Sequence, residues 1–425
     1  MMTISPFKHT PVRPHTGIFV GIALAVVLIF GTLLMSGFSE EEPAGPVLPG
    51  IDVLAERGFD SIAGKRVGLV TNHTGITRSG ASTIDTIHGS GKCTLVALFS
   101  PEHGIRGTAD ESVASSVDKK TGLPIYSLYG QSYKPSKAML RGIEVLVFDI
   151  QDIGTRFYTY IGTMALCMRA AAETGIKFVV LDRPNPIGGV KVEGAVPENG
   201  VWGGITSIYP IPTRHGMTAG ELALLFNGHF KIGCTLEVVP VKNWKRSMYF
   251  DQTGLTWLNP SPNMKTLNGA ILYPGLGVTE TTNASVARGT DKPFEMYGAP
   301  FFDGKRIADN LSKRSTPGIQ FKPCTFTPTA PYHPYRYQLC SGVQAEITDR
   351  ETLDSIAAGL HMLQAMYEIH PDRFMAYEGF VNETGDRYTW NLLAWQKLAP
   401  EKIIAAWQPR LESFKRVREK YLLYK

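Results

Sequence analysis

The chain is poor in cysteine, with five in 425 residues, at positions 93, 167, 234, 324 and 340. An odd number at such wide intervals describes neither a disulfide framework nor a zinc site. Cys93, Cys167 and Cys234 lie in or beside apolar runs and read as buried free thiols, which leaves Cys324 with Cys340 as the one bridge to consider. Blocks of like charge are missing as well. The 43 Lys and Arg against 38 Asp and Glu leave a net +5 spread along the chain. A nucleic-acid binder would gather its basic residues, so no nucleic-acid partner is expected. No G-x-G-x-x-G turn follows the first apolar run, where "TNHTGITRSG" stands instead, which argues against a dinucleotide. There is no G-x-S-x-G elbow for a serine nucleophile. His73 and His103 have no nearby cysteine or third histidine, so neither a metal nor any other cofactor is expected.

One long hydrophobic run is present. "GIFVGIALAVVLIFGTLLM", residues 17–35, is uncharged, preceded by Lys8 and Arg13 and followed by "SEEEP". A basic flank before an apolar run is the export pattern, placing the rest of the chain in a periplasmic or extracellular space. The run is longer than most signal-peptide cores and nearly long enough to span a bilayer. Cleavage after "LLMSG" and retention as a membrane anchor are equally compatible with it, and no cysteine nearby suggests a lipid anchor. Residues 1–49 therefore read as a leader with its linker.

From residue 50 onward, short β-branched runs alternate with amphipathic stretches. Strands are expected at 66–72, 94–100, 143–150, 177–183 and 235–241, with helices at 81–90, 160–175 and 216–230. Continuous apolar strands alternating with helices indicate a parallel sheet covered on both faces. This predicts an α/β, Rossmann-like domain over 50–265. Residues 266–425 differ in texture, with Pro- and aromatic-rich text such as "TAPYHPYRYQLC", one strand-like stretch "GVQAEITD", and helices near 350–369 and 402–424. They read as a smaller α/β or α+β domain closing a cleft.

Ligands of open parallel sheets bind at the carboxyl ends of the strands, and there the polar residues collect. Asn72 and His73 follow the first strand, and Glu102, His103 and Arg106 the second. Asp149, Asp152, Arg156 and Tyr158 follow the third, and Arg183 and Asn185 the fourth. Phe157 reads as core, whereas Tyr158 and Tyr160 could equally be core or a platform for a sugar ring. Beyond those strand ends stand Arg214 and His215 before a helix, Asn263 in "PSPNM", and Glu280, Asn283 and Arg288 in the polar stretch 273–295, read as a loop. Thr218 and Glu221 have the spacing of a capping box. Each polar residue also has a structural reading, as a cap, a loop hydrogen bonder or, for Arg156, an i,i+4 partner of Asp152. Glu102, between Pro101 and His103 on a tight turn, is the hardest to explain structurally. Carboxyl groups with aromatic walls and amide donors suit glycoside cleavage, in which one carboxyl protonates the leaving oxygen and another group stabilises the oxocarbenium-like centre.

"LFSPEHGIRG", "FDIQDIGTRFYTY", "LDRPNP", "RHGMTAGELA", "PSPNM" and "YPG…TETTN", in that order, resemble the NamZ-type exo-β-N-acetylmuramidases, a family long known only as a domain of unknown function. The resemblance runs from about residue 50 to the C-terminus. It implies hydrolysis of terminal N-acetylmuramic acid from the non-reducing ends of peptidoglycan fragments, in a cleft between a Rossmann-like domain and an auxiliary one. It makes Glu102 the principal catalytic acid and Glu280 the second carboxylate, with Asp152 the competitor, while the sugar's 2-acetamido group is a further candidate nucleophile. The other polar residues named above become substrate contacts, the arginines suiting the lactyl carboxylate. Ala287 and Thr213 depart from the family pattern, which favours Gly and an apolar residue there. Two other readings remain open: an amidase or esterase using His103 as base, and a non-catalytic periplasmic binding protein for wall sugars. A membrane-anchored structural protein would leave the polar strand ends unexplained.

Overall fold

The computed structural model describes residues 45–105 and 115–425. The apolar run at 17–35 and Arg106 lie outside the described residues. Seven strands form the larger sheet: β1 (Arg66–Thr71), β2 (Thr94–Ser100), β3 (Ser116–Val117), β4 (Pro124–Ser127), β5 (Val145–Asp149), β6 (Lys177–Leu181) and β7 (Leu236–Val239). Their order is β3-β4-β2-β1-β5-β6-β7. All neighbours are parallel except the short edge strand β3, antiparallel to β4. The chain starts in the middle, at β1, and winds first one way and then the other, so the strand order reverses between β1 and β5.

Residues along these strands alternate between two apolar layers, as the two-residue period of a strand requires. Val67, Leu69, Val145 and Val147 face one layer, completed by α1 (Gly50–Glu56) and α2 (Thr83–His88). Val70, Leu146, Phe148, Phe178 and Val180 face the other, covered by α3 (Tyr160–Thr174) and α4 (Ala219–Gly228). Burial on both faces explains why the strands are apolar throughout. Ser82 caps α2 by accepting from the Asp85 amide at 3.0 Å, and Thr218 and Glu221 form the expected capping box on α4.

The C-terminal half is built on α5 (Leu267–Leu276), β8 (Met296–Ala299), α6 (Gly304–Leu311), β9 (Ile319–Phe326), β10 (Cys340–Ile347), α7 (Ser355–Ile369), α8 (Phe380–Thr384) and α9 (Pro400–Arg418). It holds three strands where the sequence suggested one, in an antiparallel sheet ordered β8-β10-β9. Pro323 is tolerated because β9 is an edge. The start of the stretch read as a polar loop is instead helical, since α5 continues through Pro274 to Leu276. A Cβ on Gly275 would lie 1.7 Å from the Ser355 carbonyl, and one on Gly359 2.2 Å from that of Gly275. Helices α5 and α7 thus meet backbone to backbone, which only glycine permits. Cys324 and Cys340 are free thiols. They stand on adjacent strands, but Cys340 pairs with Phe326 and Cys324 with Gly342, so the register holds them out of line. Among the described residues no helix is long and apolar enough to cross a membrane.

A buried ion pair fixes the strand ends. Arg183 Nε donates to Asp149 Oδ1 at 2.5 Å, with side chains 5% and 0% exposed. Thr83 donates to Asp149 Oδ2, and Arg183 Nη2 to the Ile76 carbonyl at 2.8 Å. Removing one partner strands the other's charge, so Asp149→Ala or Arg183→Ala is expected to cost about 3–5 kcal/mol of unfolding free energy in urea titrations.

Candidate active site

The reversal of strand order between β1 and β5 opens a crevice at their carboxyl ends, and the loops after β1, β2 and β5 border it. Glu102 sits in the turn after β2. That turn is sharp, with His103 at φ 69° and Gly104 at φ 73°. Glu102 is half-buried and its Oε2 accepts from Thr159 Oγ1 at 2.5 Å. Burial raises the pKa of the Tyr129 phenol, and the Glu102 carboxylate, to which that phenol hydrogen-bonds, raises it further. Tyr158 and Tyr160 are raised the same way, chiefly by burial and in part by Glu102 and Asp152. Glu102 and Asp152 therefore both act on one tyrosine cluster. His73 borders it: its Nε2 lies 2.8 Å from the Asn259 carbonyl, and burial, then His103, lower its pKa.

Asp152 is buried. Its Oδ2 accepts from the Gly154 amide at 2.7 Å, and its Oδ1 has no partner. Burial pushes the acid up to about 7. The His215 Nε2 stands 4.0 Å from Oδ2. Because His215 Nδ1 accepts from the Met217 amide at 3.1 Å, the ring proton belongs on Nε2. Burial, with Arg418 and Arg214 nearby, takes the imidazole down to about 3, so His215 is neutral.

Glu280 occupies the turn after α5. Arg288 Nε donates to its Oε1 at 2.6 Å and Tyr273 Oη to its Oε2 at 3.4 Å. Tyr273 packs on Tyr158 with ring centroids 6.1 Å apart. Glu102 thus acts on one ring of this tyrosine pair and Glu280 on the other. The carboxyl of Glu383 joins the Glu280 end, where burial first and Glu280 second raise it well above the ordinary carboxylate range.

Most other polar residues at the strand ends bond inward. Asn72 bridges Tyr160 and Thr74. Asn185 holds Met217 and Ile187, and Arg214 pairs with Glu193 at 3.1 Å and the Ile187 carbonyl at 2.5 Å. Arg156 does not bond Asp152 but donates to Ser207 and to the carbonyls of Asn382 and Glu383. Asn263 accepts from the Gly289 amide, and Asn283 ties itself to Arg373 and Met375. Phe157, Tyr158 and Tyr160 are all buried, and Tyr160 Oη donates to the Pro260 carbonyl at 2.5 Å, so Tyr160 is core. Ala287 adopts φ 60°, a conformation at which glycine is at ease, which accounts for the glycine usual there. Tyr129, Thr159, Tyr273 and Glu383 escape a reading by motif, since none has a charge or spacing that marks it. Among the described residues no group of three or more His, Cys, Asp or Glu could hold a metal ion.

A doubly wound sheet with carboxyl groups and tyrosines at its switch point defines the class: an α/β protein whose cleft is furnished for a polyhydroxylated ligand. The particular family follows from comparison. Residues 67–268 match the model for the N-terminal part of exo-beta-N-acetylmuramidase NamZ, and 271–424 that for its C-terminal part. The chain belongs to this family. It is 42% identical over 410 residues to the peptidoglycan beta-N-acetylmuramidase NamZ of Bacillus subtilis (strain 168), covering 94% of this chain and 98% of that protein. Crystal structures of two DUF1343 family proteins from Bacteroides fragilis superpose on it. One has a TM-score of 0.82 at 39% identity, covering 89% of this chain and 99% of the other. The second has a TM-score of 0.72 at 32% identity, covering 90% and 99%.

The buried Asp152 carries a sign-specific consequence. The native state keeps a proton that the unfolded chain, with an ordinary pKa of 3.8, has already lost. Stability therefore falls as pH rises from about 4 to about 7, by on the order of 4 kcal/mol in all. Asn can still accept from the Gly154 amide, so Asp152→Asn should raise the melting temperature at about pH 8 and leave it little changed at about pH 4. Thermal melts at the two pH values check this.

Proposed function

We infer that this glycosidase releases terminal N-acetylmuramic acid from the non-reducing ends of peptidoglycan fragments, with Glu102 as the proton donor. Membership of the exo-β-N-acetylmuramidase family supports the reaction. The observation that carries the residue assignment is the half-buried Glu102 carboxyl, held by the Thr159 hydroxyl beside Tyr129 and Tyr158. A proton passes from Glu102 to the glycosidic oxygen as the bond from C1 to that oxygen breaks. The positive charge developing at C1 is met by the Glu280 carboxyl group, which Arg288 holds in place at 2.5 Å. Water adds at C1 and its proton returns to the protein. Asp152 has its free oxygen closed off from solvent, so it acts as a positioning residue behind Tyr158.

Recognition of the lactyl carboxylate needs a cation. The guanidinium groups of Arg156, Arg183 and Arg214 are committed to protein oxygens, and that of Arg288 to Glu280. Arg106, three residues beyond His103, is the member of the original set that we assign to the lactyl group. The basic flank and apolar run at 17–35 support export, and a role outside the cytoplasm in wall turnover or recycling.

Glu102→Gln should lower kcat on a chromogenic β-N-acetylmuramide by at least ~100-fold, and Glu280→Gln by ~10- to 100-fold. Thr159→Val should cost only about 3- to 10-fold, because it removes one hydrogen bond to the carboxyl. An undiminished rate in Glu102→Gln would move the acid elsewhere, and saturable sugar binding with no turnover by the wild type would make the chain a binding protein. Arg106→Ala should raise KM for the muramide while leaving the weak rate on the matching β-N-acetylglucosaminide unchanged, as paired steady-state assays would report.

A further inference from the structure

Segment 195–198, the turn at 386–396 and helix α9 enclose a cavity of about 420 Å³ whose lining includes neither Glu102, Asp152 nor Glu280. Asn391 and Gln396 line it, and among the described residues their side-chain amides have no hydrogen-bond partner. Each such amide offers both a donor and an acceptor. Tyr388 stands at the rim with 61% of its surface exposed. The indole of Trp407 is oriented by its Nε1, which donates to Asp386 Oδ2 at 3.0 Å, so what it turns to the cavity is carbon. Besides Asp386, the cavity's charged groups are Arg410 and Glu198, which meet loosely at 3.6 Å with Arg410 56% exposed.

The turn that shapes this cavity is unusual. Residues Asn391–Trp395 form a π-helical turn, closed by the Gln396 amide on the Asn391 carbonyl at 3.0 Å. Single π turns break the regular ladder and recur at functional sites. Here the displaced carbonyls are supplied with a donor: buried Gln364 on α7 gives its Nε2 to Leu393 O at 3.3 Å and Leu398 O at 3.0 Å. One edge of the turn is anchored by Trp390, packed among Tyr367, Phe374 and Phe380. The other presents Trp395, 67% exposed.

We propose that this cavity is a second saccharide site, taking an uncleaved sugar of the peptidoglycan glycan strand and so holding the enzyme on the polymer. Uncommitted amides match ring hydroxyls and acetamido groups, and aromatic faces match the C–H face of a pyranose. The choice of glycan as ligand rests on the muramidase reading above, whereas the existence of the site does not.

The test uses the full-length protein and two variants. One is Tyr388→Ala with Gln396→Ala; the other is Arg410→Ala, at an exposed helix position where folding is insensitive to the change. Co-sedimentation with purified sacculi should weaken by about tenfold in the double variant, the loss typical of removing an aromatic anchor with its hydrogen bond. It should weaken to a lesser degree in Arg410→Ala, while kcat/KM on the chromogenic muramide stays at the wild-type value in both. An excess of the soluble disaccharide MurNAc–GlcNAc should release the wild type from sacculi. Unchanged sedimentation of both variants would overturn the proposal. Loss of muramide turnover in Arg410→Ala would instead make the cavity part of the catalytic cleft, and failure of the disaccharide to compete would exclude a saccharide ligand. A wild type inert on the muramide whose sacculus binding still depends on Tyr388 would defeat the proposed activity and leave the site standing.

Discussion

Arg156 is the constraint on which the candidate site depends. It is 1% exposed, and a guanidinium taken out of water must find acceptors for its N–H groups or forfeit several kcal/mol. Its two terminal nitrogens find them far away in sequence, in the carbonyls of Asn382 and Glu383 and in Ser207 Oγ, while Nε is left without a partner among the described residues. Burial lowers its pKa only to about 10, so the group remains a cation at neutral pH. The carbonyls it satisfies lie in the last turn of α8, which otherwise has no partners for them and which favours positive charge. The loop after β5, bearing Asp152 and Tyr158, is thereby tied to α8. The segment leading into α8 is tied in turn to the turn bearing Glu280, through the Tyr377 amide on the Thr281 carbonyl at 2.7 Å. Two carboxyl groups from distant parts of the chain are placed around one tyrosine pair through a single buried cation.

The parallel sheet was legible because burial on both faces leaves no room for polar residues in its strands. "RVGLVT" and "VLVFD" carry that constraint in their composition, and the helices between them carry their caps, Ser82 and Thr218. The C-terminal sheet was not, for the opposite reason. Its strands have one covered face, and "MYGA" and "IQFKPCTF" include a glycine and a proline that ordinarily mark turns. Pro323 is admissible only because β9 proves to be an edge, which is a fact of sheet order and invisible locally. Pro274 misled in the same way, since "YPG" reads as a turn while the helix continues through it.

Of the candidate site, Glu102 was legible and its surroundings were not. A carboxyl on a turn between proline and glycine lacks a structural purpose in the sequence, and among the described residues its partners are the hydroxyls of Thr159 and Tyr129. Asp149, Asn185 and Arg183 looked equally placed at strand ends, and Arg214 before a helix, yet each meets a need of its own loop or neighbour. A strand end must satisfy its departing backbone groups, and short polar side chains do that first. Thr159 and Tyr129 went unnoticed because a hydroxyl beside a carboxylate is a tertiary fact. Nothing in "FYTY" or "LYGQSY" distinguishes a phenol that meets Glu102 from one that fills the core.

The charge of the cleft follows from these placements. At the Glu280 end, two carboxyls share one guanidinium, and they do not share it equally. The Glu383 Oε2 is closed off from water and lacks a hydrogen-bond partner among the described residues, and burial, then the field of Glu280, raise that carboxyl well above the ordinary carboxylate range. The hydrogen bond from Arg288 goes to Glu280. At the other end Asp152 is pushed up to about 7 by burial, so below neutral pH it adds no full negative charge behind Tyr158. Burial thus raises two of the four carboxyls, Asp152 and Glu383, and the one fixed by Arg288 is Glu280, beside Tyr273. A carboxyl in hydroxyl contact and a second one anchored by a guanidinium are differently furnished, the asymmetry that glycoside cleavage requires.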